Sequence, residues 1–207
     1  MVTVNHISEK EEKEKKAMSL HDPAKKITSA DEALQLLKEG NARFTKGKLS
    51  TKSNYPKIRA TLSTGQQPFA IVLCCADSRV APEIYFDMKL GDIFVIRNAG
   101  NVVDDVVLGS IEYGAEHLGS PLVVVLGHTS CGAVTAAVQG GKVPKNIGSI
   151  IKKIQPSVGT SKKVNDVAKK NAKAMAKQIK EDEIIKHCKT KVVAAVYDIE
   201  TGEVNWL

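Results

Sequence analysis

Phe69-Ala70-Ile71-Val72-Leu73-Cys74, opened by Pro68, is the stretch that decides the fold. A short, unbroken aliphatic run of this length is the pattern of a strand buried on both faces, as in parallel sheets. The same type recurs at Asp92-Ile93-Phe94-Val95-Ile96-Arg97, at Leu122-Val123-Val124-Val125-Leu126 and at Lys191-Val192-Val193-Ala194-Ala195-Val196-Tyr197. Helical stretches separate these runs: Val106 to Leu118, Ser130 to Gln139, and Val164 to Lys180 with Val167, Ala168, Ala172, Met175, Ala176 and Ile179 apolar. Strand and helix in alternation predict an α/β fold with a mostly parallel central sheet covered by helices. At the C-terminal end, Thr201-Gly202 supplies a turn, so Glu203 to Leu207 is expected to return as an antiparallel edge strand. At the other end Ser29 is a suitable N-cap with Glu32 three residues on. Ala33, Leu34, Leu37 and Phe44 then mark one amphipathic helix over Ala30 to Phe44, an N-terminal helical arm.

The chain has 207 residues and is 43% apolar, enough to bury a sizeable core without disulfides. Residues 27–207 are read as one domain, and 1–26 as a charged tail because Glu9 to Lys16 is an almost unbroken charge run. Met1 to Met18 contains no apolar run of signal-peptide length, and no stretch reaches the roughly 18 apolar residues of a membrane span. No membrane association and a cytoplasmic location are therefore expected. The net charge of +7 is local, since Gly141 to Lys191 holds 14 lysines against 4 acidic residues. Such a run usually marks a solvated helix face, with weak attraction of small anions as a second reading. Nucleic-acid binding is not expected, because no aromatic residue interleaves these lysines.

In open parallel sheets, ligands bind beyond the carboxyl ends of the strands. Cys75 directly follows the first run, and His128 with Cys131 follows the third. Two cysteines and a histidine are a known ligand set for catalytic zinc, leaving a fourth position for water or substrate. By spacing alone, a buried thiol and a hydrogen-bonded imidazole remain an equal reading. Cys74 should point into the opposite layer as a small hydrophobe. Cys188 reads as an inert thiol, and His6, His21, His117 and His187 fall in no ligand pattern. Neither Gly40-x6-Gly47 nor Gly127-x4-Gly132 is followed by the Lys-Ser/Thr of a phosphate loop.

Four segments keep company with these residues: Cys75-Ala76-Asp77-Ser78-Arg79, Arg97-Asn98-Ala99-Gly100-Asn101, Gly109-Ser110-Ile111-Glu112-Tyr113 and Gly127-His128-Thr129-Ser130-Cys131-Gly132. In order and separation the series resembles the β-class carbonic anhydrases. The resemblance is densest from Gly65 to Gly141 and weakest in the lysine-rich segment. It implies Zn2+ held by Cys75, His128 and Cys131, and reversible hydration of carbon dioxide to bicarbonate by a zinc-bound hydroxide. It also implies that Asp77, paired with Arg79, accepts a hydrogen bond from that hydroxide or else occupies the fourth metal position itself. Gln66 matches a family glutamine that reaches the substrate from a neighbouring subunit, with Tyr113 as a wall residue beside it. The backbone N–H of Gly132, at a helix start, is placed to contact an anion. A homodimer or dimer of dimers is implied, with the Ala30 to Phe44 helix laid across the partner. A carbon disulfide or carbonyl sulfide hydrolase shares every one of these motifs, and a non-catalytic zinc or thiol-sensing protein is the third alternative.

Overall fold

The computed structural model describes residues 26–50 and 55–207; the expected tail lies outside them except for Lys26. Five strands form one sheet: β1 (Ala70–Cys75), β2 (Ile93–Asn98), β3 (Leu122–His128), β4 (Lys191–Tyr197) and β5 (Val204–Trp206), in the order β2-β1-β3-β4-β5. The first four run parallel, and β5 pairs antiparallel with β4 across the Thr201-Gly202 turn. β1 and β3 are buried at every residue, as their aliphatic runs require of central strands with both faces covered.

The expected helices are present as α1 (Ala30–Thr45), α4 (Asp105–Glu116), α5 (Gly132–Gln139) and α7 (Val164–Glu181). Four others were not read from the sequence: α2 (Tyr55–Leu62), α3 (Pro82–Tyr85), α6 (Lys145–Val158) and α8 (Glu183–His187). α3 and α8 are too short for periodicity to register, and α6 carries Gly148 and Pro156 inside it. Ser29 caps α1 through a bond from the Glu32 N–H at 3.3 Å. Asp104 and Asp182 cap α4 and α8 in the same way.

Side chains alternate along β1, so Ile71, Leu73 and Cys75 share one face and Val72 and Cys74 the other. α4 lies close against Ile71, and α7 against Gly127 of β3. α1 and α3 pack together on the opposite side. Gly40 makes that crossing possible, because a Cβ there would sit 1.7 Å from the Phe86 carbonyl oxygen. Buried Asn41 fastens α1 further: its Nδ2 donates to the carbonyls of Tyr85 at 3.1 Å and Gly202 at 2.8 Å, and its Oδ1 accepts from the Val204 N–H at 2.9 Å. The apolar face of this helix is thus largely spent inside its own chain, with Ala33 and Leu37 fully buried. No described helix is long and apolar enough to cross a membrane.

Candidate metal centre

Two strand ends and one helix start converge at the carboxyl edge of the sheet. Cys75 is the last residue of β1, His128 the last of β3, and Cys131 the residue before α5. Their ligand atoms all lie within 4.8 Å of one another, and all three residues are buried. The His128 ring is fixed from behind, with Nδ1 2.8 Å from the Thr129 carbonyl oxygen. That bond makes Nδ1 the proton-bearing nitrogen and leaves an Nε2 lone pair aimed inward. Nε2 is buried and has no hydrogen-bond partner among the described residues, a costly position for a polar atom that no cation meets.

The sulfurs tell the same story. Cys131 donates toward Cys75, and this bond, with the N–H groups of Gly100 and Asp77, holds the Cys75 thiol well below the usual range. The same bond, reinforced by burial, pushes Cys131 well above it. Protons alone leave the pair with one thiolate, whereas a divalent cation accepts both. The backbone N–H groups of Val134 and Ala133, at the start of α5, favour the Cys131 thiolate. Two thiolates, one neutral imidazole and an orphaned Nε2 fit zinc and leave a fourth tetrahedral position open.

Asp77 and Arg79 pair as expected. Asp77 Oδ1 accepts from the Arg79 N–H at 3.0 Å and from Nε at 2.9 Å, and Oδ2 accepts from Nη2 at 2.7 Å. This fork of charged donors holds the Asp77 carboxyl far below the ordinary carboxylate range. With both oxygens engaged by Arg79, Asp77 stands outside the ligand cluster, which contains only Cys75, His128 and Cys131. Arg97 is the residue whose part here sequence reasoning missed. Its Nε donates to the Cys75 carbonyl at 3.1 Å and its Nη2 to the Asp77 carbonyl at 2.7 Å, so it grips the backbone that carries both groups. A charged residue ending the apolar run Ile93 to Ile96 was the available signal.

The remaining expected residues fall elsewhere. Gly132 is exposed, one residue beyond Cys131, at the first position of α5. Tyr113 is 48% exposed on α4, beside Phe94 and His117. Gln66 is exposed in the stretch before β1, while Cys75 closes that strand. Six strand residues span about 16 Å, so Gln66 sits at the opposite end of the sheet from the sulfurs of its own chain. All four cysteines are free.

The sequence profile described as "Carbonic anhydrase" matches residues 70–204, more than half of the chain. "Carbonic anhydrase 2" of Mycobacterium tuberculosis is 50% identical over 130 residues, which cover 61% of this chain and 63% of that protein. The match therefore spans less than two thirds of this relative's length. A carbonic anhydrase of Pseudomonas aeruginosa is 39% identical over 104 residues, 47% of this chain and 46% of that one. Among solved structures, a tetrameric β-carbonic anhydrase of Sordaria macrospora superposes with a TM-score of 0.69 at 26% identity, covering 73% of this chain and 86% of that one. The β-carbonic anhydrase of Coccomyxa in complex with acetazolamide gives 0.65 at 26% identity, covering 74% and 81%.

Proposed function

Because the chain belongs to the carbonic anhydrase family, we propose that it is a zinc-dependent β-class carbonate dehydratase, interconverting carbon dioxide and bicarbonate. The observation that carries this reading is the buried Cys75, His128 and Cys131 cluster with an Arg79-held carboxylate beside it. Zinc held there supplies a Lewis acid that makes water nucleophilic near neutral pH. The protein's own groups do the rest. Asp77 stays ionised because Arg79 donates to both its oxygens, and the remaining lone pair on Oδ2 accepts a proton-bearing oxygen and orients it. Arg97 holds the Asp77 and Cys75 backbone so that carboxylate and sulfur keep their separation. The Gly132 N–H at the α5 start contacts the anionic product.

Gln66 serves the site of a neighbouring subunit. Its position at the far end of β1 supports this reading, as does an apolar surface on the β2 side: Val106 is 79% exposed, and Tyr113 half-exposed beside the Phe94 ring. A homodimer or dimer of dimers seats that surface, with Tyr113 at its substrate-facing wall. Four free cysteines, two of them needed as thiolates, favour a reducing cytoplasmic setting.

Zinc content and carbon dioxide hydration measured on one preparation, beside carbonyl sulfide and carbon disulfide turnover, test the reading. Equimolar zinc and hydration as the dominant activity are expected. Asp77→Asn should keep zinc and lose on the order of a hundredfold in rate. Hydration by metal-free protein, preference for a sulfur substrate, or an Asn variant as fast as wild type would overturn it.

A further inference from the structure

α7 belongs to the lysine-rich segment, where the resemblance is weakest, and its exposed face is a row of lysines. Its buried face contains a residue that does not suit it. Asn171 is 1% exposed among Val167, Ala168, Ala172 and Met175. Burying an amide costs free energy unless it is bonded, and Asn171 recovers only half: Nδ2 donates to the Gly100 carbonyl at 2.9 Å, while Oδ1 has no partner among the described residues. A half-satisfied amide in an apolar layer marks a contact that matters beyond packing.

The partner explains why. Gly100 has φ +77 and no room for a side chain, since a Cβ would meet Ile154 Cδ1 at 2.8 Å and Ala133 Cβ at 3.1 Å. Its N–H donates to Cys75 Sγ at 3.4 Å. Gly100 is therefore held at both sides, its carbonyl by Asn171 and its N–H on the sulfur, and the first contact aims the second. One turn on, the Val103 N–H donates to Met175 Sδ at 3.3 Å, which fixes the far end of the same loop to the same helix.

We propose that Asn171 is a positioning residue for the metal centre: by holding the Gly100 carbonyl it aims an N–H at Cys75 and so sets how much charge that thiolate donates to the cation. Two thiolates lower the effective charge of a metal more than imidazoles do, and N–H donation to sulfur offsets this. Groups behind metal ligands commonly change affinity by 10- to 100-fold. The inference rests on the assignment of zinc to Cys75, His128 and Cys131.

The test compares wild type, Asn171→Ala and Asn171→Leu, the last close to isosteric but without any donor. Zinc affinity is read by competition with a chromophoric chelator, and thiolate charge by the sulfur-to-metal charge-transfer band of the cobalt(II) protein. Both variants should bind zinc about tenfold more weakly and show the band at lower energy. Ile179→Ala, another buried α7 truncation, should lower stability and leave both readouts at wild-type values. Folded Asn171 variants with wild-type affinity and band would overturn the proposal. If neither variant folds, wild type loaded with 113Cd decides: through-bond coupling from the metal to the Gly100 amide proton is expected, and its absence overturns the proposal. A wild type that binds no zinc would instead overturn the metal assignment itself.

Discussion

β1 and β2 lie side by side in register, from Ala70 opposite Ile93 to Cys75 opposite Asn98, and both are apolar in sequence. Yet β1 is buried at every residue, whereas Ile93, Phe94, Val95 and Ile96 of β2 are only half-buried. The difference lies in what covers them. β1 has β2 and β3 on its flanks and helices on both faces, while β2 ends the sheet and pairs, among the described residues, only with β1. Apolar composition reports that a surface is to be covered, not whether the same chain covers it.

The sharpest way to break this comparison is to put one charge into each kind of strand. Val124→Asp, in fully buried β3, leaves an unpaired charge in the core and should cost more than about 4 kcal/mol, so no folded protein is recovered. Val95→Asp in β2 should give a folded chain that sediments as a monomer. A Val95 variant still assembled like wild type would place the interface elsewhere.

The two ends of β1 offer the next test. At its carboxyl end, Cys75→Ala or Cys131→Ala should reduce zinc from equimolar to near zero by metal analysis, while Cys188→Ala keeps the full complement. At its amino end, Gln66→Ala should keep zinc and lose activity. Mixing Gln66→Ala with Cys75→Ala subunits should then recover activity, because each mixed dimer contains one site with intact ligands and a partner glutamine. No recovery from exchanged subunits would return Gln66 to its own chain.

The smallest effect concerns Asp92, just before β2. Burial pushes its carboxyl up to about 6, against the bond it accepts from the Lys89 N–H at 2.7 Å. The folded state thus holds a proton that the unfolded chain releases near pH 4. Its contribution favours folding most below that pH and is lost as pH rises through 6. Asp92→Asn should flatten this dependence and exceed wild-type stability above pH 6 by about 1 to 3 kcal/mol, read from urea unfolding at pH 4.5 and 7.5. A variant that keeps the wild-type slope would remove Asp92 from the account.

The parallel sheet was legible because each central run is uniformly aliphatic and bounded by helical spacing. The ligand trio was legible less from its place after those runs, which left a buried thiol and imidazole equally open, than from the company of Cys75-Ala76-Asp77-Ser78-Arg79 and His128-Thr129-Ser130-Cys131. What stayed hidden depends on tertiary approach. Arg97 works through backbone carbonyls, which leave no mark on the sequence of the loop they belong to. Asn171 looks like one more polar residue in a lysine-rich helix until its burial beside Gly100 is seen. The expectation that α1 lies across a partner came from the family resemblance; within its own chain the helix already buries Ala33 and Leu37.

Asn41 adds a constraint on biosynthesis. Two of its three hydrogen bonds are to Gly202 and Val204, more than 160 positions downstream. A nascent chain still inside the ribosome cannot supply those partners, and docking α1 early would bury its amide unsatisfied. α1 is therefore expected to lock only once Gly202 and Val204 have left the ribosome. Truncating the chain before Gly202 should leave it accessible to chaperones and proteases, with the strands that carry the ligands already synthesised.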